Sequence, residues 1–297
     1  MRTITKTQKS TMKFPFLILS AIGIIAFSSC KKDKGPANVN FYFKFDSTQV
    51  RLNNVGSPST IPAGNAGQSP RFNVMSAHYV ELAPTATTAL GTGAVLYKAD
   101  EVTTGGTNAI DFTKSNLTAQ NGMFLSVPVN SFAAGTYQWL RVSLAYQNYN
   151  VWITTPSGVV DGTVASFIGF RTYLTSYKVK DSTLNVNANK SQGYWAVEGH
   201  LGAFGFVTSG QSAGTTTVPN PLFATSPIPA GSCVVTAAFA SPLVVTGNET
   251  SDINVIVSLS INKSFEWIDT NGNGKYEPLS GESVVDMGIR GMIPTIQ

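Results

Sequence analysis

The sequence is poor in charge, histidine and cysteine, and it is almost without helical periodicity. Only 12% of its 297 residues are Asp, Glu, Lys or Arg, too few for a disordered or coiled-coil class. Two histidines and two cysteines leave little material for a transition-metal centre. No Ser-His-Asp set, phosphate-binding loop or zinc signature is present. Asp111, Asp161 and Glu198 are separated by long stretches, so no pair of carboxylates is marked for acid–base work. The expectation is a non-enzymatic protein. What the chain does have is Gly, Ser, Thr and Asn in abundance, with short runs of β-branched and aromatic residues between them.

The N-terminus is the most informative stretch. Arg2, Lys6, Lys9 and Lys13 make a basic head without an acidic residue, and Phe14 to Phe27 form an apolar run. That run falls short of the roughly 20 residues a helix needs to cross a bilayer, so it reads as a cleaved signal. It ends at Ser28-Ser29-Cys30. Small residues directly before a cysteine resemble the lipobox of bacterial lipoproteins, and Cys30-Lys31-Lys32-Asp33 is similar to lipoproteins of Bacteroidota. The resemblance implies a signal peptide over 1–29 and acylation of Cys30. It also implies attachment to the outer membrane through a lipid anchor. Phe27 departs from the Leu usual three residues before the cysteine. Residues 30–38 are polar and read as a tether. They lack the acidic run expected of surface-exported members, which favours the periplasmic face over the cell surface.

Cleavage before Cys30 removes four of the 20 basic residues and none of the 16 acidic ones, leaving 16 against 16. A neutral body argues against nucleic acid as a partner. Cys233 is then the one cysteine left, so no internal disulfide forms. Its setting, Ser232-Cys233-Val234-Val235, reads as an apolar strand with a buried thiol.

From residue 39 to 297 the pattern is that of one β domain. Strand-like runs lie at Val39–Phe45, Phe72–Leu82, Phe124–Val129, Tyr137–Tyr146, Val164–Tyr173, Tyr177–Val186, Tyr194–Val207, Cys233–Phe239, Ile253–Ile261 and Ile289–Ile293. Gly, Pro, Asn and Ser bound them. Ten or more strands without helices predict an all-β fold, an antiparallel β-sandwich with long loops. The four prolines of Gly214–Gly231 exclude a central strand there. A long ordered loop is expected instead, with Leu222, Phe223 and Ile228 packed beneath it.

One segment resembles the calcium loops of EF-hand and other secreted calcium-binding proteins. Asp269, Asn271 and Asn273 put oxygen-bearing side chains at alternate positions, and Gly274 permits the sharp turn that lets them converge. Lys275 would offer its carbonyl and Glu277 its carboxylate. The family's twelfth position is Ser280 here, and Glu282, two residues later, would take its place. Three carboxylates predict weak calcium binding and a stabilising role for the loop 269–282. The competing reading is a metal-free Asn-Gly turn.

Other residues carry weaker signals. His78 and His200, with Trp195 beside the second, are the only candidates for an alternative site holding copper or zinc. Tyr146, Tyr149 and Trp152 lie close together with polar residues between them, as a glycan-stacking platform would require. Ser47 and Ser182 stand in Asp-Ser-Thr triplets that resemble the O-glycosylation acceptor of Bacteroidota.

Phe43-Lys44-Phe45-Asp46, Phe72–Leu82, Gly135-Thr136-Tyr137 leading into Leu140–Leu144, Gly193-Tyr194-Trp195 and Ile253–Phe265 together resemble the methanobactin-associated copper-binding β-sandwich proteins. That resemblance implies a sandwich fold and a copper site with a tryptophan nearby, onto which Trp195 maps. Three readings follow. The first is a non-enzymatic outer-membrane lipoprotein binding a glycan or an envelope protein, with a calcium loop. The second is a periplasmic copper-binding protein. The third is a carbohydrate-active enzyme.

Overall fold

A computed structural model describes residues 35–212 and 228–297. The signal, Cys30 and most of the tether lie outside the described residues, as do Leu222 and Phe223. Pro36–Gln297 forms one compact unit. The body begins slightly earlier than residue 39, because Ala37 is already buried and the first strand starts at Asn38.

In chain order the strands are β1 Asn38–Asp46, β2 Asn65–Gln68, β3 Arg71–Ala83, β4 Ala94–Lys98, β5 Glu101–Val102, β6 Ala109–Asp111, β7 Gly122–Pro128, β8 Gly135–Thr155 and β9 Gly158–Phe167. Then come β10 Arg171–Lys178, β11 Thr183–Ser191, β12 Tyr194–Leu201, β13 Phe204–Gln211, β14 Cys233–Val245, β15 Ile253–Ser260, β16 Phe265–Ile268, β17 Val284–Asp286 and β18 Met292–Ile296. Among the described residues the only helices are single 3-10 turns, and none is long or apolar enough to cross a membrane. The all-β sandwich-like fold is as the sequence predicts.

Three of the expected strands are each two strands instead: β10–β11 and β12–β13 are hairpins, while β9 and β10 belong to different sheets. Val164–Tyr173 is broken at Gly169-Phe170, Tyr177–Val186 at the turn around Lys180–Ser182, and Tyr194–Val207 at Gly202-Ala203. Each turn is so short that apolar residues on both sides look continuous. Conversely, β8 runs 21 residues, well past Tyr146.

The central sheet has the order β13-β12-β9-β8-β3-β4, with β14 pairing the first half of β8. A second sheet, β18-β15-β1-β7, lies against that first half, with β1 and β15 parallel. Alternation in β1 buries Val39, Phe41, Phe43 and Phe45. They meet Val255, Val257 and Leu259 of β15 and Leu140, Val142 and Leu144 of β8 in the largest core. A third sheet, β11-β10-β6-β5, covers Tyr146 and Phe167 on the opposite face. The small sheet β17-β16-β2 covers Tyr149, Val151 and Ile153.

A bulge in β8, one of three register shifts in its pairing with β3, makes this layering possible. Ser76 pairs Tyr146 while Ala77 pairs Leu144, so Ala145 is an extra residue in β8. The carbonyl of Ala145 instead accepts N–H bonds from Ile168 and Gly169, both at 2.9 Å. One extra residue reverses the alternation beyond it. From Leu140 to Leu144 the even-numbered residues face the large core, and odd-numbered residues continue that side after the bulge, where Phe72 packs against both clusters.

Candidate functional site

The free end of the central sheet, built from β8, β9, β12 and β13, carries different chemistry on its two faces. Period-two alternation assigns each residue. On one side lie Val151 and Ile153, Val160 and Val164, Trp195, Val197 and Leu201, then Phe204 and Phe206. These form the floor and one wall of a cleft of about 830 Å³. The opposite wall comes from Phe265 and from Tyr276, Pro278, Leu279, Val284 and Met287. The backbone N–H of Thr154 donates to the Tyr276 carbonyl at 2.8 Å and ties the two walls together.

Two glycines shape the first wall. A Cβ on Gly210 would stand 2.7 Å from the Trp195 ring, and one on Gly199 would stand 2.9 Å from the Phe206 ring. Both rings therefore lie flat against the neighbouring strand, which a larger residue would prevent. Phe204 at the mouth is 82% exposed and Leu279 opposite it is 75% exposed.

The other face is polar. Asn73 donates to Asn148 and Asn150, each at 2.8 Å. Asn150 donates to Asp161 and Thr163, each at 3.1 Å. Arg71 pairs with Asp161, and its guanidinium lies 4.2 Å over the Trp152 ring. Trp152 is 51% exposed. The Gln68 side chain accepts from the Trp152 N–H and donates to its carbonyl, both at 2.8 Å, so it acts as a short replacement for a neighbouring strand. Glu198, on the same face of β12, is buried. Its carboxylate accepts N–H bonds from Lys180 at 2.9 Å, Asp181 at 3.1 Å and Ser182 at 3.0 Å. Burial pushes its carboxyl upward, but the bonds from Ser182, Lys180 and Asp181 outweigh that and hold it below the ordinary value.

Of the three aromatics expected to form a platform, only Trp152 faces solvent. Tyr146 is buried with Phe167 and Tyr194, and Tyr149 is fully buried beside Phe72 and Phe265. The reason is the sheet itself, because Tyr149 points to the opposite face from Trp152 and the β10–β11 layer covers Tyr146. The polar partners Arg71, Asn73 and Asp161 come from β3 and β9, and sequence distance hid them. The apolar cleft did leave a signal, since Trp195-Val197-Leu201 and Phe204-Phe206 alternate symmetrically about Gly202.

The alternative metal set does not assemble. His78 sits on β3 and His200 on β12, three strand spacings apart across β8 and β9, and the register sets His78 beside Ser143 and Leu144 of β8 but the His200 end of β12 beyond Asn150. His78 is fully buried, with Nε2 2.8 Å from Glu101 and the Phe170 ring 5.3 Å away. Burial lowers its pKa, which Glu101 only partly offsets. His200 is exposed at the β12–β13 hairpin, its ring over Gly205. Trp195 serves as a wall of the cleft. Cys233 lies in β14, and burial pushes its thiol up to about 12.

The loop 269–282 is closed on itself. Asp269 accepts from Gly272 and Gly274 at 2.9 Å and from Asn273 at 3.2 Å. The side-chain oxygens of Asn271 and Asn273 accept from Asn273 and Lys275. Both amide groups donate to one oxygen of Glu277 at 2.7 Å. Glu282 is buried beneath, accepting from Thr270 at 3.2 Å and Glu277 at 2.7 Å. Oxygen side chains thus converge from the expected positions, which suits a hard cation. Among the described residues, however, no three of His, Cys, Asp and Glu stand together as a metal group. Glu282 ties the two ends of the loop. Ser47 is exposed, and Ser182 is half-buried with its N–H on Glu198.

No family model matches this chain, and no curated protein or solved structure is significantly similar to it.

Proposed function

We propose that this chain is a lipid-anchored binding module of the bacterial outer membrane, facing the periplasm, and that its polar sheet face takes a glycan. The observation that carries this reading is Trp152, half-exposed at the open end of a flat face beside Arg71, Asp161 and Asn150. A sugar ring needs an aromatic surface for its apolar C–H face and neighbouring donors and acceptors for its hydroxyls. Both occur here on one face. The module is non-enzymatic. Glu198, the one fully buried carboxylate of this face, spends its oxygens on three backbone N–H groups.

Glycan binding by the full chain on an oligosaccharide array, lost on Trp152→Ala with an unchanged melting temperature, is the expected result. Equal signal from the variant, or none from either protein, would remove this reading. Acylation at Cys30 is read from the leader, and mass spectrometry of the native protein checks it. Calcium in the loop 269–282 is supported by the convergence of Asp269, Asn271, Asn273 and Glu277. Weak binding predicts a rise in melting temperature at millimolar calcium that Asp269→Ala abolishes.

A further inference from the structure

We propose that the apolar cleft on the opposite face is a second ligand site, built for the tail of a free single-chain amphiphile such as a fatty acid. Its size of about 830 Å³ falls within the range of small-molecule sites, roughly 300–1,000 Å³. Among the described residues 22 line it, and none of them carries a charge. The polar side chains among them are hydroxyls, including Thr155 and Ser157 at one turn and Ser212 and Ser283 elsewhere on the rim. Such a lining matches a hydrocarbon chain and offers nothing to compensate a desolvated charge or the many hydroxyls of a sugar.

The cleft is also held open. Gly199 and Gly210 occupy strand interiors, where glycine weakens a sheet, and each lies beneath an aromatic ring. With side chains at those positions, Phe206 and Trp195 would be pushed away from the strand. The glycines therefore keep the rings flat and the cleft wide. The far wall is held to the first through the Thr154–Tyr276 bond and is stiffened by the packing of Tyr276 on Phe265 and Trp267, with ring centroids 5.1 and 5.6 Å apart. A site preformed from two walls already tied together binds with a reduced ordering cost. Exposed Phe204 and Leu279 at the mouth mark where the chain enters.

The test uses the full chain carrying Cys30→Ala, so that no acyl group of its own competes. Bromine-labelled palmitic acid, titrated below its aggregation concentration, is expected to quench tryptophan fluorescence saturably through Trp195. Phe204→Asp combined with Leu279→Asp alters only exposed side chains. It should weaken binding by about tenfold or more, equivalent to about 1.4 kcal/mol, with the melting temperature unchanged. Trp152→Ala, on the other face, should leave the affinity as it is, which separates this site from the glycan reading. Absence of saturable quenching, or equal affinity in the double variant, would overturn the proposal. So would binding to phosphatidylcholine vesicles without binding of the free acid. Selective binding of an extended apolar peptide would overturn it in favour of strand addition at β13, the outer edge of the sheet.

Discussion

Replacing Glu198 with Gln probes the turn that borders the polar face. The carboxylate accepts four N–H contacts from Lys180, Asp181 and Ser182, between 2.9 and 3.2 Å. Hydrogen bonds to a charged group contribute about 1.5–3 kcal/mol each. Gln keeps one oxygen and turns an NH₂ toward backbone donors, so one to two bonds are lost, about 3 kcal/mol in total. For a domain of this size that lowers the melting temperature by about 6–12 °C. The folded pKa lies below the ordinary 4.5. The wild-type advantage is therefore complete above about 4.5 and disappears as pH falls through the lower folded value. Urea denaturation of both proteins from pH 7 to pH 3 measures it. A difference under about 0.5 kcal/mol at pH 7, or a difference that does not narrow in acid, would refute the argument.

Three further residues carry expected outcomes. Tyr149 is fully buried and its hydroxyl has no hydrogen-bond partner among the described residues, so Tyr149→Phe should be neutral or stabilising by up to about 1–3 kcal/mol in denaturant melts. Tyr149→Ala, which removes the ring, should cost about 3–5 kcal/mol. His78 has a folded pKa below its ordinary 6.5, so the unfolded chain takes up the proton first and wild-type stability falls as pH drops below about 6.5. In His78→Gln that decline should be smaller, as urea midpoints at pH 7.5 and 5.5 would show. Cys233, with its thiol pushed up to about 12, should resist a thiol reagent at pH 8 and react fully once the chain is unfolded.

Much of the strand framework was legible because alternation survives in β1 and β15. Val39, Phe41, Phe43 and Phe45 point one way in sequence and in the folded sheet. The breaks between strands were less legible because Gly169-Phe170 and Gly202-Ala203 interrupt the apolar runs only briefly. The site was less legible for two physical reasons. Register across strands brings Arg71, Asn73 and Asp161 beside Asn150 and Trp152, and sequence spacing does not encode register. The bulge at Ala145 then decides which face each aromatic meets, and nothing in Ala145 itself announces it. The same limit applies to His78 and His200, which resemble a pair in composition and stand on strands that never touch.

The extra residue in β8 has a consequence for how this protein can vary. A strand with uninterrupted alternation would commit its whole length to one inside and one outside. With the phase reset at Ala145, the first half answers to the demands of a packed interior, while the distal half is released to present unlike surfaces front and back. Residues near Trp152 or Ile153 can be exchanged by drift or by engineering without disturbing Leu140, Val142 or Leu144. The same spine can accordingly be fitted to new molecules at its tip while its foundation stays unchanged.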